Sequence, residues 1–305
     1  MIFQQTLKNK VTVSGIGLHT GKTITLTLRP AQPGTGIVFH RVDMSPAVSI
    51  EACAKNVVNT RLSTTIGKDG ASVSTIEHLM AALYGCGIDN AHVDINGPEV
   101  PIMDGSAAPL VETIRNGGVE VSSKARRFLV IKKPVSVTIG DKRATVIPSR
   151  QYKISFDMQF EHPVVKSQFR TLTFTAESFS DEIAGARTFG FLSEVEMLKA
   201  HGLALGGSLD NAVVIGDDGV LNPEGLRYSD EFVRHKILDS VGDLYLCGHR
   251  LIGHVKALKS GHELNHKLVT ELLSRPECFS LVEFTPQESA APFNLPLPEL
   301  AWLEA

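Results

Sequence analysis

His235, Asp239 and Asp243 fall at i, i+4 and i+8 within SDEFVRHKILDSVGDLYLCG, residues 229–248. On a helix that spacing stacks the three side chains along one line. An imidazole and a carboxylate one turn apart are two of the ligands that a facial metal site needs, and a third must come from elsewhere. The same stretch supplies the helix. Phe232, Val233, Ile237, Leu238, Val241, Leu244 and Tyr245 recur at three- and four-residue steps, the pattern of a helix buried over most of its girth. Ser229 reads as its N-cap, Asp230 and Glu231 suit its positive end, and Gly248 can end it. Taken alone, a His–Asp pair at this spacing is more often a solvated ion pair on a polar stripe. The rest of the chain has to decide.

Glu77 and His78 offer what is missing. They sit in the first turn of a helix expected over residues 74–84 (STIEHLMAALY), stopped by Gly85 and Gly87. Ser74 and Glu77 fit a capping box, which would occupy the carboxylate locally, and His78 fits a packed core histidine. Joined to His235 and Asp239, however, His78 completes a set of two imidazoles and one carboxylate that leaves a position open for water. An acid beside a histidine ligand is how such a site acquires its general base. His262, in LKSGHELNHK, follows a strand and a Ser-Gly turn and begins a helix. A histidine there is usually a surface or capping residue. With Asp243 holding its other nitrogen, it could instead give a proton to a leaving amine or stabilise an oxyanion. His19, His40, His92, His162, His201, His249 and His254 show no comparable partners and read as structural. LALGGS at 203–208 lacks the spacing of a dinucleotide loop or Walker motif.

The elements that must hold these groups are ordinary ones. Of 305 residues, 43% are hydrophobic and 21% charged, the make-up of a soluble globular enzyme with two domains or one large one. A net charge of −3 with scattered basic residues argues against nucleic acid as a partner. Cys53, Cys86, Cys247 and Cys278 are too far apart for a thiolate zinc site or a disulfide framework. The N-terminus has no continuous apolar segment and no run of eighteen apolar residues occurs, so a soluble, cytoplasmic protein without membrane insertion is expected.

Alternation and turn residues predict strands at 11–13, 22–28, 36–39 and 92–95, less regular structure over 41–73, and a helix at 107–116. SSKARR at 122–127 reads as a link between a first domain, 1–123, and a second, 128–285. There the order recurs: strands to about 175, a helix near 176–186, a middle segment at 190–224, the helix of residues 229–248, a strand at 251–258 and a helix near 263–274. Strands followed by helices, twice, predict two α+β halves of similar topology. The Pro-rich tail, 286–305, reads as peripheral.

SGIGLHTG at 14–21, STIEHLMAAL at 74–83, GIDNAHVDINGPEVPIMDGSAAP at 87–109, ARTFGF at 186–191, LALGGS, LNPEGLRYSDEFVRHKILDSVGDLYL at 221–246 and KSGHELNHK at 259–267 resemble the UDP-3-O-acyl-N-acetylglucosamine deacetylases. These are the zinc amidases of the committed step of lipid A biosynthesis in Gram-negative bacteria. The resemblance implies an α+β fold of two similar domains, each a sheet layered against helices and carrying an insert, with the helices of both packed together. It implies one zinc held by His78, His235 and Asp239, Glu77 as general base, and His262 as catalytic histidine oriented by Asp243. Thr188 is implied to lie by the reacting carbonyl and Lys236 to contact the nucleotide sugar, while Phe189 and residues 190–224 resemble the insert that holds the acyl chain. Small residues interrupting that insert predict an apolar passage bounded by Leu198, Ala204, Ser208 and Val214 and opening near Phe189. His266 departs from the family's pattern after GHxLN, and the residues past Phe284 lie outside the resemblance. The implied partner is a small molecule, an acylated UDP-sugar, bound by a monomer. The rivals are a zinc amidohydrolase acting on another N-acetylated sugar and a metal-containing binding protein without activity. Structural zinc sites prefer four protein ligands, usually with thiolates, and none cluster here.

Overall fold

The computed structural model describes residues 2–284; the tail read as peripheral, 286–305, lies outside the described residues. The first half runs β1 (Phe3–Leu7), β2 (Val11–Ile16), β3 (Thr23–Pro30), β4 (Ile37–Arg41), β5 (Val48–Glu51), β6 (Val57–Asn59), β7 (Thr65–Lys68), β8 (Ala71–Val73), α1 (Glu77–Gly85), β9 (Ala91–Ile95), α2 (Ala108–Gly117) and β10 (Val119–Ala125). The second runs β11 (Phe128–Ile131), β12 (Val135–Ile139), β13 (Lys142–Ile147), β14 (Tyr152–Met158), β15 (Gln168–Thr173), α3 (Ala176–Glu182), β16 (Phe189–Phe191), α4 (Leu192–Ala200), β17 (Val213–Ile215), α5 (Glu231–Tyr245), β18 (Arg250–Leu258), α6 (His262–Leu273) and β19 (Phe279–Val282).

The two halves repeat one topology. In the first, the sheet order is β2-β3-β9-β4-β5, with only the β9–β4 pair parallel. In the second, β12-β13-β18-β14-β15 follows the same order, and again only the corresponding pair, β18–β14, is parallel. The antiparallel β1–β10 pair has its counterpart in β11–β19. Helices α1 and α5 occupy equivalent positions before β9 and β18, and α2 and α6 follow those strands. An insert precedes each of the two central helices: the small sheet β6-β7-β8 before α1, and the β16–β17 pair with α4 before α5.

Alternation builds the sheets. In β3, Ile24, Leu26 and Leu28 are buried, while Thr25 and Thr27 face the other way and pair with the hydroxyls of Ser14 and Thr12. The segment 122–127, read as a link, instead contains the second half of β10, because Val121 and Ala125 register with Gln5 and Phe3 of β1. Every residue of α1 is buried, and so is nearly all of α5. Helices buried around most of their girth belong between layers, and here α1 and α5 pack on each other at the centre.

Their close approach depends on Gly242. A Cβ there would lie 2.0 Å from the Glu77 carbonyl oxygen, in backbone that cannot swing aside. Gly242→Ala is therefore expected to force the helices apart at a cost of about 1–3 kcal/mol. A lowered urea midpoint, with weaker metal retention, would show it. An unchanged midpoint would mean that the crossing can relax.

Candidate active site

The crossing brings the first turn of α1 against the middle of α5. Nε2 of His78 and Nε2 of His235 lie 3.5 and 3.3 Å from Asp239 Oδ1. The two rings meet edge to face with centroids 5.0 Å apart. His235 Nδ1 donates to the Ala186 carbonyl at 3.1 Å, which fixes the tautomer and leaves Nε2 with its lone pair. Burial, with His78 close by, outweighs the pull of Asp239 and pushes the His235 imidazole down to about 3, so it is neutral at ordinary pH. Asp239 Oδ2 accepts from Lys236 Nζ at 2.8 Å. Its Oδ1 is buried with no hydrogen-bond partner. An orphaned carboxylate oxygen facing two imidazole nitrogens is costly unless a cation joins them. The three donor atoms lie within 4.8 Å of one another, and two imidazoles plus one carboxylate suit an ion such as zinc.

A second cluster adjoins the first. His262, at the start of α6, donates from Nδ1 to Asp243 Oδ2 at 2.9 Å and places Nε2 3.9 Å from Glu77 Oε1. Burial works against its charge, but Asp243 and Glu77 overcome it and raise the imidazole to about 9. Burial lifts the Glu77 carboxyl above its ordinary range, opposed by His262 and His78. Asn265, one turn along α6, also donates to Asp243 Oδ2 at 2.9 Å. The Thr64 hydroxyl donates to Asp243 Oδ1 at 2.5 Å, and the Thr64 N–H to Glu77 Oε2 at 3.0 Å.

Both clusters open into one cavity of about 190 Å³. Glu77, His78, His235, Asp239 and His262 line it together with Thr188, Phe189 and Lys236; Leu18, His19, Leu62, Thr75 and Ile102 complete it. Thr188 is pinned on both sides, its N–H to the Gly105 carbonyl and its carbonyl to the Val213 N–H, each at 2.8 Å. The Lys236 ammonium lies 5.4 Å from the Phe189 ring centre. Leu198, Ala204, Ser208 and Val214 do not line this cavity: the first two and Val214 are half-buried and Ser208 is exposed.

Local details differ from the expectations. Glu77 makes no capping box, because its carboxylate is taken by the Thr64 N–H and the Ser74 hydroxyl turns to the Pro98 carbonyl. Asp230, not Ser229, is the N-cap of α5, and its carboxylate pairs with Arg170 and Arg234 instead of capping. His19, read as structural, lines the cavity. Sequence reasoning also passed over Thr64, Asn265 and the buried pair Arg187–Glu231, joined at 2.9 Å, which ties the 186–189 segment to the first turn of α5. Asn265 was within reach, since it sits at i+3 from His262 on one helix face.

The family model for UDP-3-O-acyl N-acetylglycosamine deacetylase matches residues 4–274. The chain belongs to this family. It is 79% identical over 305 residues to the UDP-3-O-acyl-N-acetylglucosamine deacetylase of Geobacter sp. (strain M21), covering all of both chains. Proteins of the same name from Geotalea uraniireducens and Marinobacter nauticus are 71% identical over 306 residues and 50% identical over 303, with at least 99% of each chain covered. These alignments run through the residues past Phe284, which the motifs alone had left unmatched. Among the described residues, no helix is long and apolar enough to cross a membrane.

Proposed function

We propose that the cavity between α1 and α5 hydrolyses the N-acetyl group of a UDP-3-O-acyl-N-acetylglucosamine, releasing acetate and the free 2-amine, the committed step of lipid A biosynthesis. The observation that carries the reading is the orphaned Asp239 Oδ1 facing the His78 and His235 nitrogens beside Glu77 and His262. In this reading His78, His235 and Asp239 hold one zinc ion. When bound, zinc supplies Lewis acidity, polarising the amide carbonyl and bringing the pKa of water toward about 7.

The protein's own groups handle the protons. Glu77, held by the Thr64 N–H and set back in a buried wall, accepts the proton of the attacking water through its other oxygen. Charge then grows on the former carbonyl oxygen, and Thr188 and the His262 imidazolium, both residues of the cavity lining, are assigned to stabilise it. His262, kept charged by Asp243, also stands ready to protonate the departing amine. Lys236 and Phe189 serve the sugar nucleotide and the entrance. The water-soluble nucleotide head group of the substrate fits a reaction run in the cytoplasm. The two topological repeats fit a division into domains 1–123 and 128–285, one supplying Glu77 and His78, the other His235, Asp239 and His262.

The acyl chain is assigned to the insert at 190–224, between Leu198, Ala204, Ser208 and Val214. Supporting this, the N–H groups of Leu205 and Gly206 bond the carbonyls of His19 and Leu18, two residues of the cavity wall. Each buried methylene contributes about 0.8 kcal/mol, so even two chain carbons outweigh a tenfold change in affinity. Ala204→Trp is expected to raise KM for long-chain substrate roughly tenfold or more while sparing metal binding. Parental handling of long chains by that variant would place the passage elsewhere.

Acetate release from the UDP-sugar with and without its 3-O-acyl chain tests the whole reading. The acylated compound should be strongly preferred. Equal turnover of unrelated N-acetylated sugars would favour a broader amidohydrolase, and release from neither compound would leave only a binding protein.

A further inference from the structure

Four residues form a closed ring at the cavity wall, Glu77 and His262 lining the cavity and Asp243 and Thr64 buried behind them. His262 bridges Asp243 and Glu77 through its two nitrogens, at 2.9 and 3.9 Å. Thr64 closes the ring from the opposite side, giving its N–H to Glu77 Oε2 and its hydroxyl to Asp243 Oδ1. Thr64 is itself almost completely buried, 1% exposed, and does not line the cavity. Its carbonyl accepts the Ile76 N–H at 3.3 Å, just ahead of α1, so its backbone is tied to the same helix start that carries Glu77. Leu62, two residues earlier, sits at φ +66, a conformation that a branched side chain adopts only when its surroundings impose it.

From this geometry we propose that Thr64 is a positioning residue for proton transfer, fixing the Glu77 and Asp243 carboxylates so that His262 is held between them. The inference rests on the acid–base roles proposed above for Glu77 and His262. The chemistry favours threonine here. Two carboxylates around one imidazolium leave lone pairs that need donors, and Thr64 supplies two without adding charge to the ring. Asp243 Oδ2 already accepts from His262 and Asn265, so the Thr64 hydroxyl is what holds Oδ1 and stops the carboxylate from turning. The contact also spans the molecule: Thr64 precedes β7 in the first half, while Asp243 and His262 belong to α5 and α6 of the second. The ring therefore forms only when the two halves are docked.

The test compares Thr64→Val, which keeps the side-chain shape and the N–H but not the hydroxyl, with Thr64→Ser, which keeps both donors. A hydrogen bond to a charged group of this kind corresponds to roughly 10- to 100-fold in rate. Thr64→Val should lose about that factor in kcat, with KM and zinc content unchanged, because Thr64 does not line the cavity and its donors go to Glu77 and Asp243. Thr64→Ser should stay within about threefold of the parent. In an Asp243→Ala background the Thr64→Val loss should vanish, since the hydroxyl would no longer have a carboxylate to hold. If Thr64→Val fails to fold, Thr64→Ser against Thr64→Ala makes the same comparison at smaller volume. The inference is overturned by parental kcat in Thr64→Val, by an equal loss in Thr64→Ser, by a loss confined to KM, or by an undiminished loss in the Asp243→Ala background. Parallel assays of His262→Ala and Glu77→Gln keep the two layers apart. If those retain parental kcat, the acid–base reading itself falls; if they are impaired while Thr64→Val is not, only the role of Thr64 falls.

Discussion

His235→Ala is expected to leave a folded protein that has lost zinc and turnover together. The residue is buried in α5, donates from Nδ1 to the Ala186 carbonyl and presents Nε2 to Asp239 Oδ1. Without it two donors remain, too few to hold an ion whose catalytic sites ordinarily use three protein ligands. Lewis-acid stabilisation is worth several kcal/mol, so activity should fall by roughly 10³-fold or more. Metal content and acetate release, measured on the same preparation, check this. Stoichiometric zinc with ordinary turnover in the variant would remove His235 from the metal set.

His262→Ala is expected to keep its zinc and lose roughly 10²–10⁴ in kcat/KM. The imidazole is raised to about 9 because Asp243 and Glu77 prevail over burial, so its charged form predominates at neutral pH and is lost as pH rises through about 9. The charged form is the one that can stabilise an oxyanion or protonate an amine. Parental kcat/KM should therefore fall on the alkaline side near pH 9, and on the acid side as Glu77 becomes protonated. His262→Ala should abolish the alkaline limb that this group sets. A parent profile flat to well above pH 9 would mean that His262 does not act as a cation.

What could be read from the sequence follows from how local the cause is. The helix carrying His235 and Asp239 was legible because its apolar period and its polar line share one element. The repetition of halves was legible as an order of elements. The strand pairing that makes it a true duplication, β9 with β4 and β18 with β14, joins segments far apart in sequence and leaves no period. The capping box failed for the same reason: Ser74 and Glu77 have the right spacing, but a backbone N–H thirteen residues upstream takes the carboxylate. SSKARR looks like a linker by composition, yet its first four residues belong to β10, which pairs with β1 more than a hundred residues earlier. Thr64 is the extreme case. Its hydroxyl partner lies 179 residues away, and nothing around it in the sequence marks it. Glu77, His78 and His262 could be proposed from spacing, but the longer motifs around them were needed to set His78 and His262 apart from the rest of the chain's 11 histidines.

The most direct measurement removes the metal from the purified protein by chelation and follows acetate release from the acylated UDP-sugar as zinc is returned. Activity should vanish with the metal and return in proportion to zinc up to one ion per chain, and a protein carrying Asp239→Ala should neither retain that ion nor regain turnover. Undiminished acetate release from the metal-free protein, or full reconstitution of the Asp239→Ala variant, would contradict a hydrolytic centre built on His78, His235 and Asp239.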